Sequence, residues 1–422
     1  MKYYRFSDSK LFKIGFFLYL LLLQMMSRST MYSSTLLGYY KAQYIMLGLV
    51  GLGGAAFLMK NRRDLKQILL DHRMLVVALF AAVILGPMVL KRDWQMLYIT
   101  LFVYICVAVF FSYFLSAQEL SAYYVVLMTV LGAYAVLGQF VLKEFINMGI
   151  LPAIRFDNPG GWDMYNLGLT FAVDKNTQGH DTMRVFGIFR EPGIYQCFLF
   201  VAIHLNNYIV QWKKNWHCWL INAVLWITLI TTFATGGVFA LGLYIVFLFF
   251  DKGLYRQKRM RILVASAVSA GILLIAVALV SGGTWAYELV GMVEKVYNLS
   301  YSLTARTDAV AADMKLFFAH PLLGARLEDA MHAVYNNATT SPIVFAGFGI
   351  FGGCLHVLTW AALIWKKERH WIMNLILLGI VMIPFNTQNM VHDMFMWMFP
   401  VAALTECCCR WLEDRKNRKE NS

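Results

Sequence analysis

Long apolar stretches, separated by short polar ones, run along almost the whole chain of 422 residues. The stretches are continuous, without the strict apolar–polar alternation that is typical of membrane-spanning strands. A transmembrane helix needs roughly 17–25 apolar residues and satisfies its backbone hydrogen bonds internally. We therefore predict an all-α integral membrane protein with about twelve transmembrane helices in one polytopic domain, residues 1–422.

The basic N-terminus, MKYYRFSDSKLFK, is followed by an apolar run with no small-residue cleavage site, so we expect the first helix to be retained. The predicted spans are 14–30, 37–59, 74–90, 95–115, 121–143, 193–212, 217–233, 236–250, 262–281, 340–365, 372–386 and 391–409.

Charge supports one orientation of these spans. With both termini in the cytoplasm, most of the 37 lysines and arginines fall on the cytoplasmic side, as the positive-inside rule requires. This bias accounts for the net charge of +13, so no nucleic-acid partner is implied. The basic rim would suit the anionic headgroups of membrane lipid. The 59% hydrophobic and 14% charged composition excludes an ordinary soluble domain.

Two segments are too long to be simple connections, residues 144–192 and 282–340. Both fall on the outer side in this orientation, so we predict two large outer loops. In the second, Arg306 begins a stretch whose apolar residues share one helical face, which predicts an amphipathic helix lying at the membrane interface. The residues of that face are Val310, Met314, Phe317 and Phe318.

Basic residues on the outer side are few, and the inside bias does not explain them. They are Arg28, Lys41, Lys91, Arg92, Lys143, Arg155, Lys175, Arg184, Arg190, Lys295, Arg306, Lys315 and Arg326. Arginine binds phosphate with a planar fork and keeps its charge. The outer arginines therefore indicate an anionic ligand at the level of the lipid headgroups, although snorkelling to lipid phosphates is the plainer alternative.

The segment RVFGIFREPG, residues 184–193, concentrates this signal. Arg184 and Arg190 lie six positions apart, and Pro192 suits the first turn of the next helix. Glu191 could cap that helix, where a carboxylate complements the dipole, or act as a base. His332 lies in the second loop and titrates near neutral pH. Lys41 and the pair His392–Asp393 fall near the outer ends of spans and could line the same cavity.

These residues resemble the O-antigen polymerase (Wzy-type) family and the wider polymerase and ligase superfamily. The helix entry R-x-x-G-x-F-x-E-P is matched by Arg184, Gly187, Phe189, Glu191 and Pro192. An arginine ahead of Pro-x-x-Gly and a later Gly-x-x-Gly are matched by Arg306, Pro321, Gly324, Gly349 and Gly352. TTFATGG, ending at 237, resembles the break that the family has after the span following the first loop.

The resemblance implies a metal-independent glycosyltransferase of the bacterial inner membrane, without a cofactor. Such an enzyme polymerises undecaprenyl-diphosphate-linked oligosaccharide at the periplasmic face, and a chain-length regulator and a flippase would be its protein partners. Without a metal, arginines would stabilise the leaving diphosphate. We expect Arg184, Arg190, Arg306 and Arg326 to bind it and Glu191 or His332 to be the general base.

Two alternatives share much of this pattern. A ligase would transfer the glycan to lipid A core, but the ligase branch usually has His-Asn before Gly-x-x-Gly, where this chain has Asn336 and Asn337. A flippase for lipid-linked oligosaccharide would also have about twelve spans, but with short loops and a charged central cavity. A structural membrane protein would give no reason for arginines beside a helix entry.

Overall fold

The computed structural model describes residues 9–420 except 153, 158–160, 178, 260, 263–265, 267–268, 270, 272, 274–275, 278–279, 281–283, 298–300 and 335–336. The predicted span 262–281 lies largely outside the described residues, as does Asn336. The described chain is mostly helical, at 73%, in agreement with the predicted helical membrane protein.

The first half of the chain begins with α1 (Lys10–Met26), α2 (Tyr39–Lys60), α3 (Leu65–Leu69), α4 (Arg73–Phe80) and α5 (Gly86–Leu90). It continues with α6 (Met96–Phe111), α7 (Ala117–Leu137) and α8 (Lys143–Asn147). Single π-helical turns occupy Tyr32–Leu36, Ala81–Leu85 and Gly138–Leu142, and the last two join α4 to α5 and α7 to α8.

The second half contains α9 (Pro192–Tyr208), α10 (Asn215–Thr231), α11 (Thr235–Asp251), α12 (Thr284–Tyr297), α13 (Tyr301–Ala319) and α14 (Leu327–Met331). It ends with α15 (Ser341–Ile364), α16 (Trp371–Phe385) and α17 (Met394–Glu420). Short 3₁₀ turns lie at Arg62–Asp64 and Leu254–Arg256. The break between α10 and α11 covers residues 232–234, within TTFATGG, and the last three residues of that motif already belong to α11.

Among the described residues, four helical stretches are long and apolar enough to cross a membrane: Tyr40–Lys60, Arg73–Leu90, Ala117–Asn147 and Ser341–Ile364. Three shorter apolar helices are Met96–Phe111, Thr235–Asp251 and Trp371–Phe385. These helices support membrane association. The number of twelve spans and their orientation stay predictions.

The predicted first outer loop contains a small sheet that the sequence did not indicate. Strands β1 (Arg155–Asp157), β2 (Asp163–Asn166) and β3 (Phe171–Lys175) form an antiparallel sheet in the order β1-β2-β3. Tyr165 pairs with both Arg155 and Ala172 in the register. Strands of three to five residues are too short to show the period-two pattern by which a strand is recognised.

In the predicted second loop, the helix that follows residue 300 differs from the expected interfacial one. Helix α13 packs against α15. Its buried positions are Ala309, Asp313 and Phe317, whereas Val310 and Phe318 are exposed. The packed face therefore shares Phe317 with the predicted apolar stripe but leaves Val310 and Phe318 outside it. It also carries the buried Asp313, whose partners lie in the loop ahead of α15.

Helix α9 is the central helix of the described chain. Nearly every residue from Pro192 to Asn206 is buried, and the helix packs against α7, α10, α11 and α16. A helix buried on all sides is positioned by the whole core rather than by one neighbour. The buried start of α9 therefore fixes the position of the RVFGIFREPG segment, whose last two residues begin the helix.

Candidate functional site

The RVFGIFREPG segment is held by its backbone against the chain that follows α1. The N–H of Met31 donates to the carbonyl of Ile188 at 2.8 Å, and the N–H of Arg190 donates to the carbonyl of Ser29 at 3.0 Å. These bonds form an antiparallel pairing of residues 29–31 with 188–190. The backbone pairing therefore places Arg28 and Arg190 close together in the structure.

A tight turn within the segment buries two aromatic rings. The N–H of Phe189 donates to the carbonyl of Phe186 at 3.1 Å, and Gly187 inside the turn has φ +61°, which favours glycine. Phe186 is buried beside β3, while Phe189 stacks on Tyr195 with ring centroids 4.7 Å apart. The turn therefore fixes the direction in which Arg190 leaves the core.

A polar cavity of about 240 Å³ lies at this junction. Its walls come from the segment after α1, the start of α9, the end of α14 and the loops before α15 and α17. The lining residues are Arg28, Ser29, Arg190, Ile194, Met331, His332, Asn337, Asn389, Met390, His392 and Asp393. The cavity thus joins two predicted residues, Arg190 and His332, with the His392–Asp393 pair.

Asp393 is a buried carboxylate in the cavity lining, and it lies in the loop that precedes α17. It accepts hydrogen bonds from Ser27 and Ser29 and from the N–H of Phe395, the last at 3.0 Å. Burial raises the pKa of Asp393, and these hydrogen bonds oppose the rise. The two serines flank Arg28 in sequence, so one short segment both supplies a cation and holds an anion.

His392 is 6% exposed. Its Nε2 lies 2.8 Å from Sδ of Met331, and among the described residues its Nδ1 has no hydrogen-bond partner. Burial lowers the pKa of His392 well below the usual value, and the charge of Arg28 lowers it further.

Asn337 joins the cavity to α13. Its side-chain amide donates to Oδ1 of Asp313 at 2.8 Å and to the carbonyl of Ala330 at 3.1 Å, and the Thr339 hydroxyl donates to Oδ2 of Asp313 at 2.7 Å. Burial raises the pKa of Asp313, and the two side-chain hydrogen bonds oppose the rise. Asp313 therefore fixes the loop that carries Asn337.

The other predicted ligand arginines lie elsewhere. Nε of Arg184 is 2.7 Å from Oε2 of the buried Glu288 on α12, so its charge is compensated within the chain. Arg306 lies on α13 outside the cavity lining, with a buried Nε that has no hydrogen-bond partner in the described part of the chain. The side chain of Arg326 is 62% exposed, and its Nε lies 3.5 Å from Oδ1 of Asp93.

Glu191 precedes α9 but does not cap it through its side chain. Its carbonyl accepts from the N–H groups of Ile194 and Tyr195, both at 3.1 Å, while its carboxylate makes no capping hydrogen bond. Oε1 lies 3.6 Å from Nε of Arg190 on a partly exposed surface. The carboxylate is therefore a neighbour of Arg190 and not part of the cavity lining.

The glycines of the Pro-x-x-Gly and Gly-x-x-Gly patterns meet each other. Gly324 has φ +75° and Gly349 has φ +66°, and a Cβ on either would collide with the backbone around the other. The N–H of Ile350 donates to the carbonyl of Pro321 at 2.8 Å across a break in α15. Nζ of Lys91 donates to the carbonyl of Ala325 at 2.6 Å beside this contact. These motif residues fix the position of α14, whose end lines the cavity.

The sequence marked Arg28 only as one of thirteen outer cations, and it placed Lys41 with the His392–Asp393 pair. Lys41 is exposed and does not line the cavity. The serine–arginine–serine run at 27–29 is the one local signal that could have singled out Arg28. Its pairing with residues 188–190 is a tertiary contact that no local pattern encodes.

Within the described residues, no three His, Cys, Asp or Glu side chains are grouped so that they could hold a metal ion. Comparison of the chain with protein-family models, curated proteins and solved structures finds no match. The site is therefore interpreted from its own geometry.

Proposed function

We propose that the chain polymerises undecaprenyl-diphosphate-linked oligosaccharide repeat units at the periplasmic face of the bacterial inner membrane, without a metal. The observation that carries the proposal is the cavity in which Arg28 and Arg190 stand with histidines and a buried carboxylate. Two guanidinium groups suit a diphosphate, and the start of α9 adds the positive end of a helix dipole.

In this reaction, electrostatic stabilisation of the leaving diphosphate contributes more to the rate than covalent catalysis does. As the bond between the anomeric carbon and the phosphate breaks, negative charge grows on the leaving lipid diphosphate. Cations placed at that position in advance lower the barrier, and removing one such donor typically costs about 100- to 1,000-fold in rate. In this proposal Arg28 and Arg190 hold the diphosphate, while Arg184, compensated by Glu288, holds the first loop against α12.

The acceptor hydroxyl must also lose a proton to a general base. Of the two bases expected from the sequence, His332 lines the cavity and Glu191 lies beside it. A chain-length regulator and a flippase remain the expected protein partners.

The test is Arg190→Ala in the native host, read as the ladder of polysaccharide chain lengths. We expect the ladder to collapse to a single repeat unit while the protein still accumulates in the membrane. Arg155→Ala is the matched control, because Arg155 lies in the same predicted loop, is 68% exposed and faces Asp163 at 4.0 Å. A normal ladder in Arg190→Ala would refute the site.

Deletion of the gene separates the functional classes. Loss of a polymerase leaves one repeat unit attached to its final acceptor. Loss of a ligase leaves none attached, with lipid-linked polymer accumulating. Loss of a flippase also leaves none attached and strands single lipid-linked units on the cytoplasmic side. Either of the last two outcomes would overturn the proposed polymerase.

A further inference from the structure

We propose that His392 accepts the proton of the acceptor sugar hydroxyl during glycosyl transfer. This inference rests on the proposed function and names a residue for the base that the reaction needs. The histidine lies in the loop between α16 and α17, far in sequence from both expected bases.

The contact with Met331 indicates which ring nitrogen of His392 carries the lone pair. Nε2 lies 2.8 Å from the thioether sulfur of Met331, which can accept a hydrogen bond but cannot donate one. The contact selects the tautomer with hydrogen on Nε2. Nδ1 then carries the lone pair, and it is the ring nitrogen without a hydrogen-bond partner among the described residues.

Burial separates His392 from the other histidine of the cavity. His392 is 6% exposed, whereas His332 is exposed at the end of α14. A buried polar atom without a partner costs free energy unless a ligand satisfies it. A sugar hydroxyl that reaches Nδ1 from the cavity would donate to it and remove that cost.

The charges that face His392 make its basicity depend on the bound donor. Arg28 lies in the same cavity lining as His392, and Arg190, His332 and Asp393 share that lining. A diphosphate placed against the two arginines adds negative charge beside the ring. That charge offsets the effect of Arg28, so His392 becomes the stronger base when the donor is present.

The step balances without a further reactant. The acceptor oxygen attacks the anomeric carbon, and the bond between that carbon and the phosphate oxygen breaks with its electron pair leaving on the lipid diphosphate. The hydroxyl proton moves to Nδ1 of His392 and passes to water when the product leaves. The diphosphate remains next to Arg28 and Arg190 until it is released.

The experiment compares His392→Gln with His332→Gln and Arg190→Ala in the full-length chain, in the native host and in proteoliposomes. Polymer formation is read as the chain-length ladder, and binding is measured with undecaprenyl diphosphate and, separately, with inorganic diphosphate. We expect His392→Gln to lose polymer at least about 100-fold while it binds undecaprenyl diphosphate within about two-fold of the wild type. His320→Gln is the control that should keep both properties, because His320 is exposed and outside the cavity lining.

The outcomes distinguish the two proposals. A normal ladder in His392→Gln with a collapsed ladder in Arg190→Ala would overturn the role of His392 and leave the proposed function standing. An equal loss in His332→Gln at unchanged binding would assign the base to His332 instead. Normal ladders in all three variants would overturn the proposed function itself.

A measurement on the wild-type chain covers the case in which His392→Gln does not fold. Diethyl pyrocarbonate modifies neutral imidazoles, and mass spectrometry locates the modified histidine. We expect undecaprenyl diphosphate to protect His392, and polymer formation to fall in step with modification of His392. Polymer formation that persists after His392 is modified would refute the proposal.

Discussion

Arginines lie beside both ends of α9, but their surroundings differ. The helix has 17 residues, so its ends are roughly 25 Å apart. At the first end, Arg190 and Arg28 line a cavity of about 240 Å³. At the last end, Arg369 is bound to Asp251 through Nε at 2.8 Å and a second nitrogen at 3.1 Å, with the Tyr208 hydroxyl donating to the same carboxylate at 2.8 Å.

At the last end of α9, three cations also lie over the aromatic ring of Tyr208. The guanidinium of Arg369 lies 4.8 Å and Nζ of Lys366 lies 5.0 Å from the centroid of Tyr208, and Nζ of Lys252 lies 5.1 Å from it. Cations are favourable near the negative end of a helix dipole and over an aromatic face. The two ends differ in their surroundings: Arg369 is held in a bidentate pair within the fold, whereas Arg28 and Arg190 line a cavity that could hold a ligand.

The largest expected effect is that of Arg28→Ala at the cavity end. We expect transfer to fall by about 100- to 1,000-fold because a cation is lost beside the proposed leaving diphosphate, with a smaller loss of thermal stability in detergent than Arg369→Ala causes. Polymer length and the melting temperature are measured together. Lys41→Ala is the control, because Lys41 is an exposed cation outside the lining. A large fall in melting temperature with Arg28→Ala would erase the contrast between the two ends.

Arg369→Ala at the other end should affect stability. The Arg369 side chain is 7% exposed, and its loss leaves Asp251 half-enclosed without its main partner. We expect a cost of about 3 kcal/mol, measured as faster thermal inactivation and lower membrane yield, with the remaining protein fully active. Arg155→Ala is the matched control, since its pair with Asp163 is on the surface, where the two side chains are 68% and 34% exposed. Unchanged stability of Arg369→Ala would contradict the structural role.

Glu191→Gln should have the smallest effect. The carboxylate makes no capping hydrogen bond and stands outside the cavity lining, so its loss removes only a surface ion pair with Arg190. We expect a change in transfer of less than about three-fold and a change in stability below about 1 kcal/mol. The measurement is the initial rate in proteoliposomes at equal protein content. A loss of about 100-fold in a folded Glu191→Gln protein would restore Glu191 as the base.

Much of the helical fold could be predicted from continuous apolar runs. Most of the predicted spans that fall on described residues coincide with helices within a few residues, although the last helix continues to Glu420. The π turns at Ala81–Leu85 and Gly138–Leu142 could not be predicted, since an inserted residue barely changes a uniformly apolar pattern. The short sheet from Arg155 to Lys175 gave no periodic signal either.

The candidate site was predicted in part, and the reason is physical. Arg190 and His332 stood out because their charge and chemistry are unusual beside an apolar helix. Arg28 could not be separated from other outer cations, since its place depends on backbone hydrogen bonds to residues distant in sequence. The carboxylate of Glu191 matched a capping pattern, yet it lies near the Arg190 guanidinium instead of capping α9.

The hydrogen bond between Ser27 and Asp393 joins positions 366 residues apart. During synthesis, this wall of the cavity can therefore form only after almost the entire chain has been made. Such long-range contacts form late and slowly. A chain that stops before α17 cannot form this site, so premature products would be inert rather than partly active.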